Sequence, residues 1–158
     1  MDIEKLENKV RVIQGKFAIG QFDEVISDTK LLLKKFSDQQ ILYNILSLAY
    51  QKKGENNKSI DLLLRAIKRS PKNIFFLNNL GTSYYNLKNF EQAEYYLKRA
   101  LEINPKYINA LNNLANLKYD LDLINEAKEL YNKALDLDDN LLQPNYNLAS
   151  LNQVTGDF

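Results

Sequence analysis

Apolar residues recur along most of this chain at intervals of three and four, and the pattern they make is itself repeated. In LNNLGTSYYNLKNFEQAEYYLKRALEINP (77–105), Leu77, Leu80, Gly81 and Tyr84 fall on one face of a first helix, and Ala93, Leu97, Ala100 and Leu101 on one face of a second. Lys88-Asn89 interrupts the pattern between the halves, and Pro105 closes the unit because it cannot continue a helix. The same two-helix pattern appears in YNILSLAYQKKGENNKSIDLLLRAIKRSP (43–71) and LNNLANLKYDLDLINEAKELYNKALDLDD (111–139), each displaced by 34 residues. Upstream, Gly20-Gln21-Phe22 lies 34 residues before Gly54-Glu55-Asn56, and LLLKKFSD (31–38) parallels LLRAIKRSP (63–71), which marks a degenerate first unit. Downstream, NYNLASLNQVTGDF (145–158) opens a fifth. The pattern predicts nine helices, with turns near Gly20, Gly54, Lys88, Asp122 and Gly156.

These residues resemble the tetratricopeptide repeat, a 34-residue helix–turn–helix unit with the pattern W-x₂-L-G-x₂-Y, then A-x₃-F, then P. In the middle unit Leu77 stands for the tryptophan, Leu80-Gly81 and Tyr84 match, Ala93 and Leu97 cover the second helix, and Pro105 ends it. The unit before keeps Tyr43, Leu46, Tyr50, Gly54, Ala66 and Pro71, with Ser47 and Ser59 as its small residues. The unit after keeps Leu114, Ala115, Ala127, Tyr131 and Ala134, but Lys118 replaces the tyrosine and Asp139 the proline. The resemblance implies an all-α, right-handed α-solenoid of antiparallel helix pairs. It would form one domain over 1–158, with repeats at 6–39, 40–73, 74–107 and 108–141 and a lone first helix at 142–158. It also implies that the first helices line a concave side.

Composition narrows the function. With 158 residues the chain can bury a core without disulfides or metals, and it has no Cys and no His, which removes thiol chemistry, the usual zinc sites and an imidazole base. No catalytic residue, metal site or cofactor is expected. The net charge of +1 gives no global field toward nucleic acid or an anionic membrane, and no apolar run resembles a signal peptide or a spanning helix, so a cytoplasmic location is expected. Asn is frequent, and codon bias accounts for much of that.

The tetratricopeptide family serves as a surface for peptides and assembly, so function is sought on the first helices. Their positions between the core residues are Asn44, Ile45, Leu48 and Gln51; then Phe75, Asn78, Asn79, Thr82 and Tyr85; then Asn109, Asn112, Asn113, Asn116 and Tyr119; then Tyr146, Asn147 and Ser150. This reads as a neutral, amide-rich groove with aromatic flanks. Asn79, Asn113 and Asn147 recur 34 residues apart, and amides can pair with both the C=O and N–H of an extended peptide. The row resembles the asparagine ladder of O-linked N-acetylglucosamine transferase. Two other readings stand beside it: hydrogen bonding within each helix pair, and composition bias. The clamp by which some family members hold acidic chaperone tails needs Lys or Arg at these places, and none is there. Binding of RNA would also need a basic groove.

The expectation is therefore a non-catalytic module that binds a protein or extended peptide, placed before a transferase-like domain as in similar arrays of multidomain bacterial enzymes. The alternative is a scaffold that self-associates through its groove or open ends. Because no second helix follows 142–158, Leu148, Leu151 and Phe158 are expected to face solvent or a second copy, giving weak self-association through the C-terminal helix.

Overall fold

Helices of 12 to 17 residues are marginal alone, so a chain built from them must gain its stability by packing apolar stripes together. The computed structural model describes residues 2–138 and 140–155, and among these there are nine helices and no strand. They are α1 (Asp2–Ala18), α2 (Phe22–Lys35), α3 (Gln40–Lys52), α4 (Asn56–Arg69), α5 (Ile74–Asn86), α6 (Phe90–Ile103), α7 (Ile108–Asp120), α8 (Ile124–Leu135) and α9 (Leu142–Thr155). The chain divides into two compact units, Met1–Pro71 and Lys72–Phe158.

Four turns within helix pairs share one closure. At Gly20, Gly54, Lys88 and Asp122 the backbone enters the left-handed region, with φ of 79°, 73°, 60° and 61°. Around each, one N–H reaches back five residues to a carbonyl and its predecessor reaches back three: Glu55 to Tyr50 and Gly54 to Gln51, or Asn89 to Tyr84 and Lys88 to Tyr85. This is the Schellman arrangement, which satisfies the last carbonyls of the first helix and turns the chain sharply. Glycine adopts it freely, whereas Lys88 and Asp122 do so at a cost of about 1 kcal/mol. The expected turn at Gly156 lies outside the described residues.

In the first unit, Leu6, Ile13, Val25, Leu32, Leu42, Ile45 and Ala49 form a buried cluster, with Phe17, Ile26 and Phe36 packed against it. Lys16 ties α1 to α2 through Glu24 (2.7 Å) and Asp28 (2.9 Å). The degenerate first repeat is thus a real helix pair, with α1 beginning four residues before the expected start.

In the second unit, Leu77, Leu80, Ala93, Leu97, Ala100, Ala115, Leu117, Ala127 and Ala134 are fully buried. Gly81 faces Leu97 so closely that an added Cβ would lie 2.5 Å from Leu97 Cγ. Asparagines begin two helices: Asn73 Oδ1 accepts from the Phe76 N–H and Asn89 Oδ1 from the Gln92 N–H, so part of the amide content caps helices. Where Lys118 replaces the tyrosine, it is buried and bridges α6 to α8 through Glu94 (2.9 Å) and Glu126 (3.0 Å). In the preceding repeat Tyr84 stacks on Tyr96 instead.

One expectation about α9 is corrected. Leu151 is 1% exposed, clustered with Ala115, Ala127 and Tyr131, and Leu148 packs on the same cluster. A first helix turns these positions back toward the repeat before it, so they need no following helix for cover. The exposed apolar residues of α9 are Leu142 and Tyr146. Phe158 lies outside the described residues.

Candidate functional site

Within the second unit, α5, α7 and α9 are successive first helices, and their shared register places equivalent residues side by side. The amide row expected to point outward is split by packing. Asn78 and Asn79 are buried, and the Asn78 Nδ2 donates to Asn79 Oδ1 (3.3 Å). Asn113, half-buried, donates through Nδ2 to Asn78 Oδ1 (2.9 Å) and Thr82 Oγ1 (3.2 Å). Asn147 does the same one repeat later, donating to Asn116 Oδ1 (2.9 Å) and the Tyr131 hydroxyl (3.1 Å). Tyr131 OH in turn donates to Asn116 Oδ1 (2.6 Å). These bonds join neighbouring repeats and fix the orientation of the amides.

Of the remaining candidates, Asn109 and Tyr119 are exposed, while Thr82, Tyr85, Asn112 and Asn116 are half-buried. Asn112 Oδ1 is enclosed and meets no donor among the described residues, an arrangement that costs about 1–3 kcal/mol. Asn44 lies on α3 in the first unit, also half-buried.

Beside the Asn116–Asn147–Tyr131 knot the surface opens into a recess of about 450 Å³. Tyr131 and the two amides form one part of its wall, and Tyr85, Tyr119 and Tyr146 supply aromatic rings. Among the described residues, Asp120 is the only charged one lining it. Tyr85 OH donates to Asp120 Oδ2 (2.7 Å), bridging α5 to the end of α7. Burial, and then the hydrogen bond to Asp120 and its charge, push the Tyr85 phenol well above its ordinary value of 10, so it stays a neutral donor. Burial likewise raises Tyr131.

The sequence pattern indicated Tyr85, Asn116, Tyr119 and Asn147, but not Asp120 or Tyr131. Tyr131 occupies a second-helix core position, equivalent to Leu97, and reads as packing. Asp120 follows the last turn of the apolar stripe, and only its neighbour in space, Tyr85, marks it. Among the described residues no cluster of carboxylates could hold a metal ion, and no helix is long and apolar enough to cross a membrane.

Paired helices closed by repeated Schellman turns, with a polar and aromatic first-helix face, define a helical-repeat protein of the interaction type. The chain belongs to the tetratricopeptide repeat family: one family profile matches residues 74–107 and another residues 41–73 and 108–141, well over half of its length. Solved structures share the fold. A thermophilic tetratricopeptide protein of Thermus thermophilus, TTC0263, is 22% identical with a TM-score of 0.86, over 96% of this chain and 83% of that one. PilF of Pseudomonas aeruginosa is 20% identical with a TM-score of 0.83, over 96% and 69%. The first tetratricopeptide domain of Spaghetti (RPAP3), bound to the HSP90 peptide SRMEEVD, is 24% identical with a TM-score of 0.68, over 73% and 92%. No curated protein matches the chain in sequence. The repeats of this family generally mediate protein and peptide binding, and the fold is generally non-catalytic.

Proposed function

We propose that this chain is a non-catalytic binding module that takes an extended peptide segment along the first-helix face of α5, α7 and α9. The observation that carries this reading is the 450 Å³ recess on that face, walled by tyrosines and amides that hydrogen bonds between repeats hold in place. Preorganised polar groups beside aromatic rings bind a peptide with little ordering cost. The groups available to a ligand are Asn109, Tyr119, Tyr146 and the half-buried Asn113 and Asn116, whereas Asn78 and Asn79 support them from beneath. The RPAP3 domain holds an acidic peptide; here no lysine or arginine lines the recess among the described residues, which favours a neutral or basic segment.

This role suits a recruiting module ahead of a transferase-like domain, working among soluble partners in the cytoplasm. Screening a peptide array for ligands and then measuring their affinity for Asn109→Ala/Tyr119→Ala tests the reading. Loss of about 1–3 kcal/mol of binding, with the unfolding midpoint unchanged, is expected. Unchanged affinity in a folded variant refutes the assignment of this face. A second reading, self-association, draws on the exposure of Leu142 and Tyr146 on α9. Light scattering over a concentration series tests it: a constant monomer mass refutes it.

A further inference from the structure

We propose that the recess between α5, α7 and α9 is a pocket for one cationic side chain, a lysine or arginine, of the bound peptide. The proposal deepens the peptide-binding reading and rests on it for the source of the cation. Three observations carry it. First, Asp120 is the only charged residue lining the recess among those described, and its side chain is 29% exposed, so it is shielded yet accessible. Second, the rings of Tyr85, Tyr119 and Tyr146 line the same space, and aromatic faces attract cations through their quadrupole. Third, the protein already holds a cation at the outer edge of this arrangement. Lys88 Nζ lies 3.6 Å from Asp120 Oδ2, 5.4 Å from the Tyr85 ring centroid and 5.6 Å from that of Phe90. Lys88 itself is not part of the recess wall, so its ammonium approaches the carboxylate from outside.

Other ligand chemistries fit poorly. An acidic side chain would meet Asp120 with no described lysine or arginine in the wall to offset it. An aliphatic side chain would cover the carboxylate and the Asn116 amide without pairing them, at a desolvation cost. A guanidinium or ammonium pairs with Asp120 and lays its stem on the tyrosines. Because Lys88 and the ligand share one carboxylate, they compete, which predicts an effect of opposite sign at residue 88.

The test uses small probes, so that it does not depend on knowing the peptide. N-acetyl-lysine N-methylamide and N-acetyl-arginine N-methylamide are titrated into the full chain and followed by amide NMR shifts, with the norleucine and glutamine analogues as neutral controls. The cationic probes are expected to shift resonances around Asn116, Tyr119, Asp120 and Asn147 with dissociation constants on the order of millimolar, as suits fragments. Asp120→Asn, which keeps an acceptor for Tyr85 OH, should weaken them about fivefold or more, and Tyr146→Leu should weaken them about two- to fivefold. Lys88→Met should tighten them. Equal shifts from norleucine, no localised shifts at all, or an Asp120→Asn protein that binds as wild type each overturn the proposal. The two readings fail separately: array peptides whose affinity is indifferent to replacing arginine by norleucine would leave the peptide-binding face standing without its cation pocket. Cationic probes that bind while no peptide does would leave the pocket without the groove.

Discussion

One substitution made at two glycines should give opposite signs. Gly81 sits on α5 against α6, and a Cβ there would lie 2.5 Å from Leu97 Cγ, 2.8 Å from Leu97 Cδ2 and 3.2 Å from the carbonyl oxygen of Ala93. Carbon atoms prefer separations of about 3.5–4.0 Å, so the nearest contact is short by about 1 Å. Leu97 is fully buried and cannot swing aside, and the Ala93 carbonyl belongs to the backbone. Overpacking of this kind costs about 2–3 kcal/mol, of which the better helix propensity of alanine offsets about 1, leaving Gly81→Ala about 1–2 kcal/mol less stable. Gly15 lies on an exposed face of α1 with nothing within 4 Å of its added Cβ, so Gly15→Ala keeps only the propensity gain and should stabilise by about 0.5–1 kcal/mol. Small size alone does not explain position 81, because the equivalent Ser47 and Ala115 carry a Cβ and are also buried. The requirement comes from Leu97. Urea unfolding followed by far-ultraviolet circular dichroism, with Leu97→Ala completing a double-mutant cycle, measures each part. Leu97→Ala alone should cost about 2–5 kcal/mol, and the double variant should cost less than the sum by about 1–2 kcal/mol. A stable Gly81→Ala, or a cycle additive within about 0.3 kcal/mol, would show that the helices separate freely and refute the argument.

Asp122→Gly should raise stability by about 0.5–1 kcal/mol by relieving the left-handed backbone, and Gly54→Ala should lower it by about 1 kcal/mol, both read from the urea midpoint. Tyr131→Phe removes a donor to Asn116 and an acceptor for Asn147, and should cost about 1–2 kcal/mol while leaving the helix content unchanged in the circular dichroism spectrum. Glu94→Gln should cost about 1–2 kcal/mol at neutral pH by weakening its bond to the buried Lys118. Burial opposes ionisation of Glu94, but hydrogen bonds from Lys98 and Lys118 outweigh it and hold the carboxyl below its ordinary value. Burial likewise opposes the charge on Lys118, while Glu94 and Glu126 raise it above its ordinary value. The wild-type advantage over Glu94→Gln should therefore be constant between the ordinary values of 4.5 and 10.5. It should be lost as the pH falls through the lowered value of Glu94 or rises through the raised value of Lys118. Persistence of the difference at acid pH would assign it to packing.

The period, the helix pairs and the turns at Gly20, Gly54, Lys88 and Asp122 were legible because they are local. Apolar spacing specifies a helix face, and six residues contain a whole Schellman closure, so a turn forms at Lys88 as it does at Gly54 despite the different side chain. Membership in the tetratricopeptide repeat family follows from the same local signals. What the sequence could not reveal is how residues in one register fare among different neighbours. Asn79 and Asn113 occupy equivalent places, yet one is buried beside Asn78 and the other reaches across to α5, because exposure depends on which helix packs alongside. Leu151 read as an uncovered end and is buried, since its helix turns it back onto Ala115, Ala127 and Tyr131. The recess itself depends on Tyr85 and Asp120, which lie 35 positions apart and meet at 2.7 Å only when α7 packs against α5. A repeat written in sequence determines which helices form. The differences between its copies become a site only when packing sets them side by side.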